Sequence, residues 1–200
     1  MADAASSTST ASVDTRIASR VRSLRARLGL TLAALAAKSG VSRSMISLVE
    51  RGESSATAVV LEKIATGLGV SLATLFEDSA APANPRSRTG DRSPWRDPQS
   101  GYVRCNISPS NYPSPIQIVQ VTLPAGAAVA YETGARDADL HQQVWVREGA
   151  MDVTVGTVTH RLAEDDCLAM QLNVPIAFRN RTRKAAHYIV VIANGPAVKR

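Results

Sequence analysis

Apolar positions between residues 14 and 78 recur at helical spacing. Ile17, Val21, Leu24 and Leu28 step by four, three and four, one stripe along a helix that Gly29 ends. Thr31 precedes Leu32, Leu35 and Ala36, an N-cap ahead of a second helix that Gly40 stops. Ser42 caps a third helix, which runs to Arg51 ahead of Gly52. Leu61, Ile64, Ala65 and Leu68 predict a fourth, ended by Gly69, and Ser71 caps a short fifth carrying Leu72, Leu75 and Phe76. The pattern predicts a compact five-helix domain over 14–78, behind a disordered polar tail at 1–13 with neither the basic nor the apolar region of a secretory signal.

The period then changes twice. From 79 to 99 prolines alternate with Ala, Ser, Asn and Arg, which predicts a linker. From residue 100 onward short Val- and Ile-rich runs are separated by Gly, Pro, Asn or Asp. Strands are expected at 117–123, 127–131, 143–146, 151–155, 158–162, 167–170 and 188–193, and so many short strands indicate a sandwich or small barrel. The chain is therefore read as an α domain followed by a β-barrel domain over 100–200.

Charge sharpens the picture once it is located. The chain carries a net charge of +6, and residues 16–51 alone hold eight Lys/Arg against one acid, Glu50. Residues 105–200 are nearly balanced, nine basic against eight acidic. The positive field belongs to the helices, where a nucleic-acid surface explains it. No run of about eighteen apolar residues occurs, so no membrane span is expected. Two cysteines, Cys105 and Cys167, form neither a disulfide framework nor a zinc spacing, which suits a reducing cytoplasm.

Residues 30–52, LTLAALAAKSGVSRSMISLVERG, place two short helices around a tight glycine turn with Val41 at the corner. On the third helix Met45, Ile46 and Val49 fall on one side, and Arg43, Ser44, Ser47, Leu48 and Arg51 on the other. The second face is small, polar and basic at its edges, as entry into a major groove about 12 Å wide requires. This stretch, with LEKIATGLGVSLATLFE after it, resembles the DNA-binding domain of the Xre/Cro/phage-repressor regulators. The resemblance implies base contacts from Arg43, Ser44 and Ser47, and phosphate contacts from Thr31, Lys38 and Arg51. Ser42 and Leu48 join that predicted interface. Leu32 and Leu48 stand where the family often has Gln, which shifts base readout toward apolar contact. The resemblance also implies an ion pair between Arg25 and Glu50 that orients the third helix.

The strand region resembles a cupin, a double-stranded β-helix or jelly-roll barrel. The family's first metal motif falls on Gly126, Glu132, Gly134, Gln142 and Gly149; the second falls on Asp165, Gln171, Asn173, Ile176 and Asn180. Of the second motif only the last Asn matches, and the His positions of the two hold Glu132, Gly134 and Ile176, so no metal or other cofactor is expected. In the cupin register Tyr131, Gln142, Val144, Met170, Ile176 and Phe178 face inward, and with Glu132 they form a candidate pocket for a small effector.

These readings converge on a bacterial transcriptional regulator that is not an enzyme. The helical domain binds double-stranded DNA, the cupin domain dimerises and senses, and the protein is a cytoplasmic homodimer. The alternative is a metal-dependent cupin oxygenase or epoxidase carrying a helix–turn–helix. A metal-free cupin isomerase or sugar-binding module would have only Glu132 with Tyr131 or His187 as its acid/base set.

Overall fold

A computed structural model describes residues 13–77, 83–132 and 140–194. Four α-helices come first: α1 (Val13–Arg27), α2 (Leu32–Ser39), α3 (Arg43–Glu50) and α4 (Ala58–Gly67). Each later helix begins at a hydroxyl cap. Thr31, Ser42 and Thr57 accept from the backbone N–H three residues on, and Gly40 closes α2 in the left-handed region at φ 67°. The apolar stripes meet in one core containing Ile17, Val21, Leu24, Leu35, Ile46, Val49, Leu61 and Ile64.

Two expectations need correction here. The fifth helix is a single 3-10 turn, Leu72–Phe76, so the domain has four α-helices, not five. Ser71 does cap it, and five residues are too few for an α-helical turn to propagate. Leu28, expected on the buried stripe of α1, is 53% exposed. The helix ends at Arg27, and the left-handed Gly29 carries the chain away before Leu28 can turn inward.

Ten strands follow: β1 (Trp95–Arg96), β2 (Val103–Asn106), β3 (Ile116–Leu123), β4 (Ala128–Tyr131), β5 (Leu140–Glu148), β6 (Met151–Val155), β7 (Val158–Leu162), β8 (Cys167–Gln171), β9 (Ile176–Arg179) and β10 (Ala186–Asn194). They form two antiparallel sheets, ordered β1-β2-β3-β10-β5-β8 and β4-β9-β6-β7. Counted from β3, the eight barrel strands alternate between the sheets except at the β6–β7 hairpin, which is the double-stranded β-helix order. Alternation is sharpest on β5, where Leu140, Gln142, Val144 and Val146 are buried and the residues between them are exposed. Asn180, the one retained residue of the second cupin motif, is fully buried. Its amide donates to the carbonyls of Leu123 and Lys184, at 3.1 and 2.7 Å, so it ties the β9–β10 turn to β3.

Helices and barrel are packed together by residues on both sides. Within the stretch expected as a linker, Trp95 is buried between Phe76 and Tyr102, with ring centroids 5.3 and 6.4 Å away. Asp97 is only 3% exposed. Its Oδ1 accepts from the Ala58 amide at 2.8 Å, satisfying an orphan donor at the start of α4, and its Oδ2 accepts from the Ser100 amide at 2.7 Å. Gln117 of β3 donates to Glu77 at 2.6 Å, and Asn106 of β2 donates to the Ala73 carbonyl at 2.9 Å. Asp97→Ala strands the buried Ala58 amide and the half-buried Ser100 amide. The expected loss is about 1–3 kcal/mol, which calorimetry would read as a melting temperature lower by roughly 3–10 °C.

Candidate nucleic-acid interface and barrel cavity

The turn between α2 and α3 is fixed by its own side chains. The Ser39 hydroxyl donates to the Leu35 carbonyl at 2.7 Å and accepts from the Val41 amide at 3.2 Å, while Val41 is buried at the corner. Ile46 and Val49 seat α3 on the core, with Met45 partly buried beside them. The opposite face is open. Arg43 and Ser44 are exposed, Ser47 and Leu48 are half-buried, and Thr31, Lys38 and Ser42 are exposed around them.

Two of the predicted contact residues also have structural work. Thr31 and Ser42 spend one acceptor each on the amides of Ala34 and Met45, at 3.1 and 3.2 Å. The Thr31 hydroxyl proton remains able to meet a phosphate oxygen, while the Ser42 hydroxyl also shares a hydrogen bond with that of Ser44 at 3.1 Å. Arg51 is exposed and pairs with Glu53 at 2.7 Å and with the Ser47 hydroxyl. Its fork is turned along the protein, toward Glu53 and Ser47. Glu53 beside it is held below the usual carboxylate range by the hydrogen bond from Arg51.

The Arg25–Glu50 pair implied by the family resemblance is present and bidentate. Arg25 Nε and Nη2 donate to the two Glu50 oxygens at 2.6 and 2.8 Å, and Nη1 donates to the Leu30 carbonyl at 2.8 Å. Those side chains are 18% and 8% exposed. One guanidinium therefore ties α1, the α1–α2 turn and the end of the predicted recognition helix.

In the barrel, a cavity of about 50 Å³ opens between the sheets and the helices. Of the predicted pocket residues, Tyr131, Gln142, Ile176 and Phe178 line it. Val144 and Met170 are buried nearby but are not on its wall. Glu132 is outside, its carboxylate 77% exposed and paired with Lys63 of α4 at 2.8 Å. Sequence reasoning missed the remaining polar wall: Tyr102, Arg104 and Tyr188 from the barrel, and Glu62 and Ser71 from the helices. Arg104 is signalled only by strand alternation, which turns it inward between Val103 and Cys105. Burial pushes the Tyr131 and Tyr188 phenols well above their ordinary range, so both are neutral hydrogen-bonding groups at physiological pH.

The metal-motif positions do converge on this cavity, since Gln142 and Ile176 both line it. Their chemistry does not fit iron or a similar ion. Gln142 offers one neutral oxygen, Ile176 offers no donor atom, and Glu132 is turned to Lys63. Gly134 lies outside the described residues. Among the described residues no group of three or more His, Cys, Asp and Glu is placed to hold a metal. No described helix is long and apolar enough to cross a membrane.

Comparison with known proteins places these features. Residues 21–75 match the helix-turn-helix family HTH_3. The chain is 26% identical over 172 residues to the HTH-type transcriptional regulator SutR of Escherichia coli K12, covering 86% of this chain and 91% of that one. It is similar in structure to an HTH_3 family transcriptional regulator from Vibrio cholerae, with TM-score 0.72, 25% identity, and coverage of 92% and 98% of the two chains. A hydroxypropylphosphonic acid epoxidase from S. wedmorenis aligns at TM-score 0.45 with 20% identity over 91% of this chain and 99% of that one, too low a likeness to carry a functional argument.

Proposed function

We propose that this chain, which carries an Xre-type helix-turn-helix domain of the HTH_3 family, is a sequence-specific DNA-binding transcriptional regulator that acts as a homodimer in the cytoplasm. The observation that carries the reading is α3 itself. Its back is locked to the core by Ile46 and Val49, and its open face presents Arg43, Ser44, Ser47 and Leu48 among the basic residues of the first two helices. Arg43 reads base edges. Thr31, Lys38, Ser42 and Arg51 hold the phosphates, and Leu48 offers apolar contact to a thymine methyl.

A lone α3 spans few base pairs, so two copies on related half-sites are needed for useful affinity. The outer face of the six-stranded sheet supplies the pairing surface. Ile189 stands between Gln120 and Trp145, and Val191 between Ile118 and Gln143. Trp145 is 39% exposed and Ile116 45%. Three long strands, β3, β10 and β5, extend about 28 Å, and the shorter β2 and β8 flank them, a face of about 550 Å² against the ~800 Å² per partner that a standard interface buries. The barrel is thus a pairing and sensing module without metal chemistry. Its cavity of about 50 Å³ has room for an effector of only a few atoms.

Footprinting across the genome yields the operator, and binding to it tests the assignment. Arg43→Ala is expected to weaken operator binding roughly 10- to 100-fold while leaving random DNA nearly unaffected. Lys38→Ala weakens both alike and lowers the salt slope by about one. Equal effects of the two substitutions on operator and random duplex would remove Arg43 from base readout. No retention of any duplex at low salt would remove the regulator reading.

A further inference from the structure

A second and larger depression lies where α1, the 84–93 segment and β2 meet. It has a volume of about 270 Å³, and its wall includes Arg16, Arg86, Arg92 and Arg104 with a single carboxylate, Asp91. Nε of Arg16, Nε of Arg104 and Oδ1 of Asn106 are closed off from solvent without a hydrogen-bond partner. These are all the buried side-chain polar atoms left unpartnered among the described residues, and all three line this one cleft. Buried polar groups are normally paired, so three orphans in one place mark where a partner is missing.

Two of the orphans, and Arg92 beside them, are held in place. Arg104 is 4% exposed and its guanidinium lies 4.6 Å above the Phe76 ring. Asn106 donates its amide to the Ala73 carbonyl, which fixes its oxygen toward the cleft. Arg92 is braced on the Ser87 hydroxyl and carbonyl at 3.2 Å each. None of the ion pairs among the described residues involves Arg16 or Arg104.

We propose that this cleft binds a small organic phosphate. The excess of guanidinium groups over Asp91 suits a dianion better than a carboxylate, and the arginine fork matches tetrahedral oxyanion geometry. Asn106 Oδ1 is an acceptor and calls for a hydroxyl on the same ligand. The volume holds roughly ten non-hydrogen atoms, given that a 150 Å³ cavity accepts benzene. Because Arg16 belongs to the helical domain and Arg104 to the barrel, the bound anion bridges the two. Resting on the regulator reading, that bridge shifts operator affinity by favouring one arrangement of the DNA-binding heads.

Titration calorimetry on the full chain, without DNA and at constant ionic strength, tests the site. Glycerol 3-phosphate is the probe, with inorganic phosphate and glycerol beside it. Saturable binding of one glycerol 3-phosphate per chain is expected, weaker for phosphate and absent for glycerol. Arg16→Gln and Arg104→Gln each reduce affinity by about tenfold or more. Arg104→Gln removes a packed side chain and can fail to fold, so Arg16→Gln, at a half-buried position of α1, keeps the test decisive. No saturable binding of either phosphate, or binding unchanged in folded Arg16→Gln, overturns the proposal. So does a loss of DNA affinity in Arg16→Gln with no phosphate binding, which makes the cleft a DNA contact. Operator binding is measured separately with and without the probe. A phosphate-binding chain whose operator affinity does not move retains the site and overturns its coupling. A chain that binds phosphate but no DNA overturns the regulator reading alone.

Discussion

Arg25→Ala is expected to destabilise the helical domain by about 2–4 kcal/mol and to abolish operator binding near the melting point of the variant. The substitution leaves Glu50 almost buried and facing no cation, and removes the donor to the Leu30 carbonyl. Breaking one side of such a pair costs far more than the pair contributes net, because the abandoned charge keeps its desolvation penalty. The cost falls on α1 and α3 together, so the recognition helix loses both its anchor and its orientation. Calorimetry should show a melting temperature lower by roughly 5–15 °C. Arg25→Met with Glu50→Leu provides the contrast: the double variant should recover most of the lost stability, since no charge is left stranded. A single variant that melts with the parent would show that the pair orients nothing.

Ile189→Glu is expected to have the largest effect on DNA binding of any change outside the helices. Ile189 lies on the outer face of β10 between Gln120 and Trp145, away from the barrel core, so the chain should fold. A carboxylate there would be buried without a partner in the proposed dimer, and two copies would face each other across a twofold axis. Sedimentation should show monomers at concentrations where the parent is dimeric. Operator affinity should fall by 10²- to 10⁴-fold, since the second half-site is no longer delivered at high effective concentration. A dimer that persists in this variant moves the interface elsewhere. A monomer with undiminished operator affinity removes the need for pairing.

How much of this was legible in the sequence depended on whether a signal was local. The caps Thr31, Ser42 and Ser71 and the terminator Gly40 act within four residues, and the structure has each where the pattern placed it. The long barrel strands were visible for the same reason. Three strands were not. Trp95–Arg96 sits between Pro94 and Pro98, which mask it as coil. Val103–Asn106 turns Arg104 inward and so breaks the apolar-in rule. Ile176–Arg179 is four residues behind Pro175, although Ile176 and Phe178 were expected in the interior from the cupin register.

The barrel cavity was half legible. The cupin register brought Tyr131, Gln142, Ile176 and Phe178 to its wall, but could not anticipate Glu62 and Ser71, which arrive from the helical domain. Glu132 follows β4 and is drawn out to Lys63, a cation 69 positions earlier. The arginine cleft was invisible because its arginines come from three segments, each ordinary in isolation.

The reach of Asp97 back to Ala58 changes how the chain can be dissected. A gene fragment ending near residue 78 would lack the carboxylate that α4 leans on and would leave Phe76 without Trp95. Anyone seeking a minimal operator-binding fragment should carry the reading frame beyond Tyr102.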